Sequence, residues 1–212
     1  WGSRLVTSPL VHHTPVASER VLALLAPALT EPGAVLVDAT VGLGGHSRMA
    51  LDRFPAIRVI GIDRDPEALE IAAERLSASR ERVHLVHSVF DEIPSVLADQ
   101  GIACADGVLF DLGVSSMQLD EARRGFSYAQ DSELDMRMNP GDVLTAADVV
   151  NDYAEEDLVR ILRQFGEEKF APRIARGIVR AREGHRVSRS SELASIVKEA
   201  IPAAARRRGG NP

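Results

Sequence analysis

Three aspartates, Asp38, Asp63 and Asp111, each close a short apolar run, and a glycine turn, Gly42-Leu43-Gly44-Gly45, follows the first of them. Glycines at such a turn let backbone approach a ligand closely. A helix that begins there presents free N–H groups and the positive end of its dipole, which suit an anionic group. A carboxylate at the end of a second strand can accept both hydroxyls of a ribose. The chemistry implied is the binding of a nucleoside-containing small molecule. A dinucleotide fingerprint needs G-x-G-x-x-G, whereas Gly44-Gly45 is followed by His46 and Ser47 with no third glycine. That spacing disfavours a nicotinamide-dependent oxidoreductase and suits S-adenosyl-L-methionine, with Asp63 on the ribose and the residues after a third strand, Phe90 among them, framing the adenine. From sequence alone, Phe90 serves equally well as an aromatic core plug.

Positioning these residues requires alternating strands and helices. "AVLVDAT" reads as a short strand buried on both faces, "IRVIGIDRD" as a second buried strand, and "RVHLVHSVF" and "ADGVLFDLG" as a third and a fourth strand. "HSRMALDRF", "PEALEIAAERLSA" and "IPSVLADQG" read as the helices between them, with Asp65 as a cap and Pro66 in the first turn. Four alternations predict an α/β fold, an open, doubly wound, Rossmann-like sheet with Asp38, Asp63 and Asp111 at its carboxyl edge. Ahead of the sheet, "SERVLALLAPAL" is predicted as a helix capped by Ser18. The stretch from Val114 to Pro140 has weak periodicity, and its length points to function. "TAADVVNDYAEEDLVRILRQFG", "EEKFAPRIARGIVRAREG" and "RSSELASIVKEAIP" read as amphipathic helices, the last capped by Ser188 or Ser190. Residues 1–143 are therefore expected to form a core and 144–212 a helical, basic subdomain and tail.

The formal charge of −6 conceals an asymmetry. From Lys169 to Pro212 eleven Lys/Arg face three Glu, a local charge of +8, which leaves −14 on the first 168 residues. Lys169, Arg173, Arg176 and Arg180 recur at helical spacing as one positive face for phosphates. No run of about 18 apolar residues is present to span a membrane, and no signal-peptide pattern opens the sequence. The single cysteine, Cys104, rules out an internal disulfide and fits a reducing cytoplasm; beside a predicted strand it is expected to be a small buried hydrophobe. No metal-ligand spacing stands out, and His12 and His13 read as exposed loop residues.

"DATVGLGGHS", "GIDRDPEAL", "DLGVSSMQLDEARRGFSYAQDSELDMRMNP" and "EEKFAPRIARGIV" together resemble the bacterial 16S ribosomal RNA (cytosine-N(4))-methyltransferases of the MraW/RsmH type. "HHTPVASERVLALL" is similar to that family's opening segment, so the likeness runs from about His13 to Arg189. It implies a class I S-adenosyl-L-methionine-dependent methyltransferase sheet with an inserted helical subdomain thought to recognise RNA. Gly44, Gly45 and His46 then match the methionine-side contact, Asp63 the ribose acid, Phe90 the residue after strand three, and Asp111 and Gln118 the contacts around strand four. The implied substrate is the exocyclic amine of a cytidine in the decoding region of 16S rRNA, and the implied partner is the small ribosomal subunit. A homodimer is left open.

A cytosine amine is a weak nucleophile because its lone pair is delocalised, so an acceptor beside its N–H groups and good alignment supply most of the acceleration. Asp111 is the residue expected to act on that amine, with Ser115 and Ser116 as lesser candidates. The cytidine must be unstacked, and Phe126 with Tyr128 could stack on it. "LDMRM", Leu134 to Met138, is expected to fold over the donor with Asp135 and Arg137 paired. The family's chains continue with strands that complete the sheet and are not found in these 212 residues. An RNA-binding remnant without activity therefore stands as the alternative.

Overall fold

The computed structural model describes residues 15–127 and 130–203. Its sheet has the strand order β3-β2-β1-β4, all parallel. β1 is Val35–Asp38, β2 Arg58–Asp63, β3 Val83–His87 and β4 Gly107–Leu109. Helices α1 (Ser18–Leu25), α2 (Gly45–Arg53), α3 (Pro66–Arg75) and α4 (Ile93–Asp99) lie in the same unit.

The unbroken apolar character of β1 follows from cover on both faces. Leu36 packs with Leu22, Leu29, Leu51 and Val59 on one side. Val35 and Val37 pack with Ile60, Ile62, Val96 and Leu97 on the other. Each such side chain contributes about 1.5–3 kcal/mol when removed from water. Because the strands are parallel, their carboxyl ends share one edge, and Asp38 and Asp63 are the last residues of β1 and β2. β4 is shorter than predicted, so Asp111 lies two residues past its end instead of closing it.

The chain divides into two compact units between Gly113 and Val114. The second unit thus starts well before the expected boundary at 143/144. It holds α5 (Ser116–Asp120), α6 (Ala146–Asp152), α7 (Glu155–Gln164), α8 (Ala171–Gly184) and α9 (Ser190–Ala200). The reason lies in the segment before residue 144, which bonds to the helices. Leu134 N–H donates to the Ser188 carbonyl (3.1 Å), and Ala146 and Ala147 N–H donate to the Asp135 and Leu134 carbonyls (2.7 and 2.8 Å). Leu134 belongs to the same apolar cluster as Val150, Leu158, Ile174 and Ile178.

Several local readings change. α1 is entered through Ala17 in the left-handed region (φ 50°), and Ser18 is its buried first residue without a capping bond. α9 is preceded by Arg189 and has no side-chain cap; Ser190 is its first residue, and its hydroxyl accepts from Ser132 N–H (3.0 Å). The single helix predicted from Thr145 to Gly166 breaks at Tyr153 and Ala154, both extended. Arg182, reaching from α8, donates to the Val150 and Tyr153 carbonyls and so occupies acceptors freed at that break. Cys104 is exposed, since it lies in the loop before β4 and not in the strand. Asp65 caps α3 as predicted, accepting from Glu67 N–H at 3.1 Å.

The LDMRM segment is held by a buried guanidinium. Arg124 is 3% exposed and donates to the carbonyls of Arg137 (3.2 Å) and Met138 (2.7 Å). Asp135 and Arg137 pair as expected, through two hydrogen bonds of 3.0 and 2.7 Å. Gly125 has φ 73°, and a Cβ there would lie 2.8 Å from the Glu133 carbonyl oxygen. Gly125→Ala is therefore expected to cost about 2 kcal/mol or more, read as a lower urea midpoint for the helical unit. An unchanged midpoint would show that this backbone approach is not needed.

Candidate functional site

The site is built at the carboxyl edge of the first unit, where the turn after β1 is anchored on both sides. Ala39 N–H donates to the Leu109 carbonyl and Val41 N–H to the Ile62 carbonyl, both at 2.9 Å. Gly42, at φ 50°, donates its N–H to Asp63 Oδ2 (2.7 Å). Asp63 Oδ1 accepts from Asp65 N–H (2.9 Å). Each Asp63 oxygen has thus used one acceptor site, and an ionised carboxylate offers about four. Two neighbouring hydroxyls can still be received.

Gly44, at φ 77°, is the residue that caps α2, and a Cβ there would crowd Leu76 at 3.2 Å. Gly45 is covered from a different side: a Cβ would lie 2.6 Å from Pro15. Pro15 therefore packs directly on the turn. His46 joins it, with Nε2 3.1 Å from the Val16 carbonyl oxygen. A carbonyl can only accept, so Nε2 donates to it, which leaves Nδ1 as the ring's other nitrogen. That nitrogen lies 3.7 Å from Asp111 Oδ2. Asp111 is itself fixed by its N–H, which donates to Thr40 Oγ1 (2.7 Å), while its side chain is 53% exposed.

Asp38 is 1% exposed. Ser47 Oγ donates to its Oδ2 (2.6 Å), while Oδ1 is buried with no hydrogen-bond partner. Burial pushes this carboxyl up to about 6, against the opposing pull of the Ser47 hydroxyl and of His46. A buried carboxylate with an unpartnered oxygen favours a positive charge nearby. S-adenosyl-L-methionine carries both a sulfonium and an ammonium, so this donor set fits it. Phe90 is 48% exposed and is no core plug. It meets the equally exposed Phe110 edge to face, with ring centroids 5.8 Å apart at 84°. An apolar wall of this kind suits a nucleobase.

The structure thus brings together Gly44, Gly45, His46, Asp63, Phe90 and Asp111 in one unit. Gln118 belongs to the other unit, where it is 4% exposed and forms a capping box with Ser115: Ser115 N–H donates to Gln118 Oε1 (2.9 Å) and Gln118 N–H to Ser115 Oγ (3.2 Å). Tyr128, His12 and His13 lie outside the described residues, as does the side chain of Ser116. Sequence reasoning missed Ser47, Thr40 and Phe110. The first two are hydroxyls within two residues of an already flagged motif residue, which was the available signal. Among the described residues no group of three or more His, Cys, Asp or Glu is arranged to hold a metal, and no helix is long and apolar enough to cross a membrane.

Residues 10–212 match the MraW methylase family. The chain belongs to that family. It is 59% identical over 201 residues to a protein of Frankia alni named ribosomal RNA small subunit methyltransferase H, which covers 94% of this chain and 62% of that protein. Proteins of the same name from Parafrankia and Streptomyces avermitilis are 56% and 55% identical, over 95% and 94% of this chain. The chain spans 62% and 63% of those two proteins, so it corresponds to under two thirds of its relatives' length.

Asp38 sets a pH dependence that can be measured on the free protein. Its native value near 6 lies about 2 units above an ordinary aspartate, so keeping it ionised costs about 3 kcal/mol. Between about pH 4 and 6 the unfolded chain gives up this proton before the native one. That contribution to stability is therefore full below pH 4 and lost as pH rises through 6. Asp38→Asn is expected to stabilise the free protein at about pH 8 by up to about 3 kcal/mol and to bring no such gain at about pH 4. Urea unfolding at the two pH values checks this, and equal effects at both would refute it.

Proposed function

We propose that this chain carries the donor site and the RNA-recognising helices of an enzyme that methylates the exocyclic N(4) amine of a cytidine in the decoding region of 16S rRNA. The methyl group comes from S-adenosyl-L-methionine, the target is the small ribosomal subunit, and the compartment is the cytoplasm. One observation carries the reading above others: Asp63 is held by two backbone N–H groups at the end of β2 with acceptor capacity to spare, directly beside the glycine turn. Membership of the MraW methylase family and the names of the relatives point the same way.

In this reading the amino end of α2, at Gly44, Gly45 and His46, holds the methionine end of the donor. Asp63 accepts the ribose hydroxyls, and the Phe90–Phe110 pair lies against the adenine. Asp38 keeps negative charge beneath the turn and favours a cationic ligand. When bound, S-adenosyl-L-methionine supplies an electrophilic methyl group on a positively charged sulfur.

The protein's own groups then have two tasks. Asp111, half exposed and anchored through Thr40, accepts an N–H of the target amine at a carboxylate oxygen. That bond draws the nitrogen lone pair out of conjugation and offsets positive charge as it develops on the nitrogen. A proton must leave the methylated nitrogen, and a carboxylate beside it is placed to receive it. His46, tied to Val16, limits where Asp111 can move.

Two measurements test this reading. Calorimetric titration of the chain with S-adenosyl-L-methionine is expected to give binding in the micromolar range, weakened roughly a hundredfold in Asp63→Ala, equivalent to about 3 kcal/mol for two hydroxyl contacts to a charged acceptor. Absence of binding by the folded chain counts against the donor site. Asp111→Asn in the full-length enzyme is expected to lower methyl transfer to a small-subunit substrate by about a hundredfold or more, with a much smaller change in donor affinity. Unchanged turnover removes Asp111 from the chemistry.

A further inference from the structure

Beyond the donor site, the second unit contains a groove of about 660 Å³ between α8 and α9. Arg173, Arg176 and Arg180 line it from α8, and Ile196 and Glu199 from α9. Gly177 lies between the arginines, and a Cβ there would stand 3.2 Å from Ile196 Cγ2. The absence of a side chain at this point lets the two helices close on each other. Lys169, grouped with these arginines on spacing, does not line the groove.

The protein engages these three cations only weakly, whereas several others on the unit are held firmly. Arg182 donates to the carbonyls of Val150 and Tyr153. Arg186 spans Asp148 and Asp152, Arg189 holds Asp131, and Arg160 pairs with Asp157. Arg176 merely approaches Glu155 at 3.7 Å. The side chains of Arg173 and Arg180 form no ion pair or hydrogen bond with another described residue. Positions i, i+3 and i+7 place the three guanidinium stems along one helix face over about 10.5 Å of axis. Collecting like charges along a groove is unfavourable unless an anion answers them.

We propose that the α8–α9 groove holds the sugar–phosphate backbone of the RNA substrate, with Arg173, Arg176 and Arg180 on successive phosphates. The proposal rests on the reading that the substrate is RNA, and it assigns a place on this chain where that RNA is gripped. Guanidinium forks match phosphate oxygens in pairs. A strand whose phosphates rise by about 3.4 Å each crosses the 10.5 Å span in about three steps. An acidic peptide fits less well, because apart from the arginines and Glu199 the lining is Gly177, Ala181, Ile196 and Ala200, which offer no further polar side chain to a peptide backbone. The groove contributes affinity and register without reading bases. Glu199, the acid on its rim, opposes the phosphates and keeps that grip moderate.

The test uses the whole chain with a short fluorescent RNA containing the target cytidine, titrated at several salt concentrations and followed by anisotropy. Arg173→Gln/Arg180→Gln is expected to weaken binding roughly tenfold or more at low salt and to reduce the slope of log affinity against log salt by about 1.4, or 0.7 per lost phosphate contact on a single strand. Arg160→Gln, which removes an already paired charge, is expected to leave both unchanged. Equal losses in the two variants would assign binding to diffuse charge and overturn the groove, as would an unaltered slope in the double variant. Displacement of the RNA by polyglutamate at matched charge concentration would assign the groove to an acidic protein partner instead. A wild-type chain that binds S-adenosyl-L-methionine but no RNA overturns this proposal and leaves the donor site standing; loss of donor binding too would overturn both.

Discussion

The bond between Gly42 N–H and Asp63, across 21 residues of sequence, is the constraint on which the first unit's chemistry depends. It fastens the turn after β1 to the end of β2. The same carboxylate receives Asp65 N–H, so the start of α3 is fixed with it. Three functional positions therefore share one rigid corner: the turn, the strand end and the helix that follows. The left-handed backbone at Gly42 and Gly44 is what allows the turn to reach that carboxylate. Without it the amino end of α2 would be aimed by the local chain alone.

Around this corner the unit tolerates a group that folding alone would not favour. Asp38 contributes nothing to the apolar core beneath β1, and one of its oxygens has no partner. Such an arrangement is disfavoured in the free protein and relieved by a positively charged ligand. Here the stability of the empty fold and the affinity of the site oppose each other, as is common where a protein preorganises charge.

Much of this was legible from residue order. Continuous apolar runs ending in Asp38 and Asp63 identified buried parallel strands, because only a strand covered on both faces has that composition. Asp65 could be read as a cap because Pro66 follows it, and Asp135 and Arg137 as a pair because they are two residues apart in an otherwise apolar run. Ser18 was misread because the cap position falls one residue earlier, on Ala17 in the left-handed region, so that Ser18 already lies inside the first turn. The helix break at Tyr153 is matched by Arg182, 29 residues further on, which reaches carbonyls of that turn. The start of the second unit was hidden for the same reason, since Leu134 finds its partners beyond residue 144. The orphaned Asp38 oxygen and the apposition of α8 and α9 are tertiary facts, and no local pattern encodes them. The basic spacing on α8 was visible, but the groove that distinguishes three of its residues from Lys169 was not.

Gly177 gives the helical unit an adjustable dimension. Because a single hydrogen sets how near α9 comes to α8, the separation of the two helices is governed at one codon. Alanine or serine there would wedge the helices apart by a few tenths of an ångström and widen the channel between them while leaving every arginine in place. A lineage, or a protein engineer, could in this way retune how tightly a polyanion is embraced without altering a single charge.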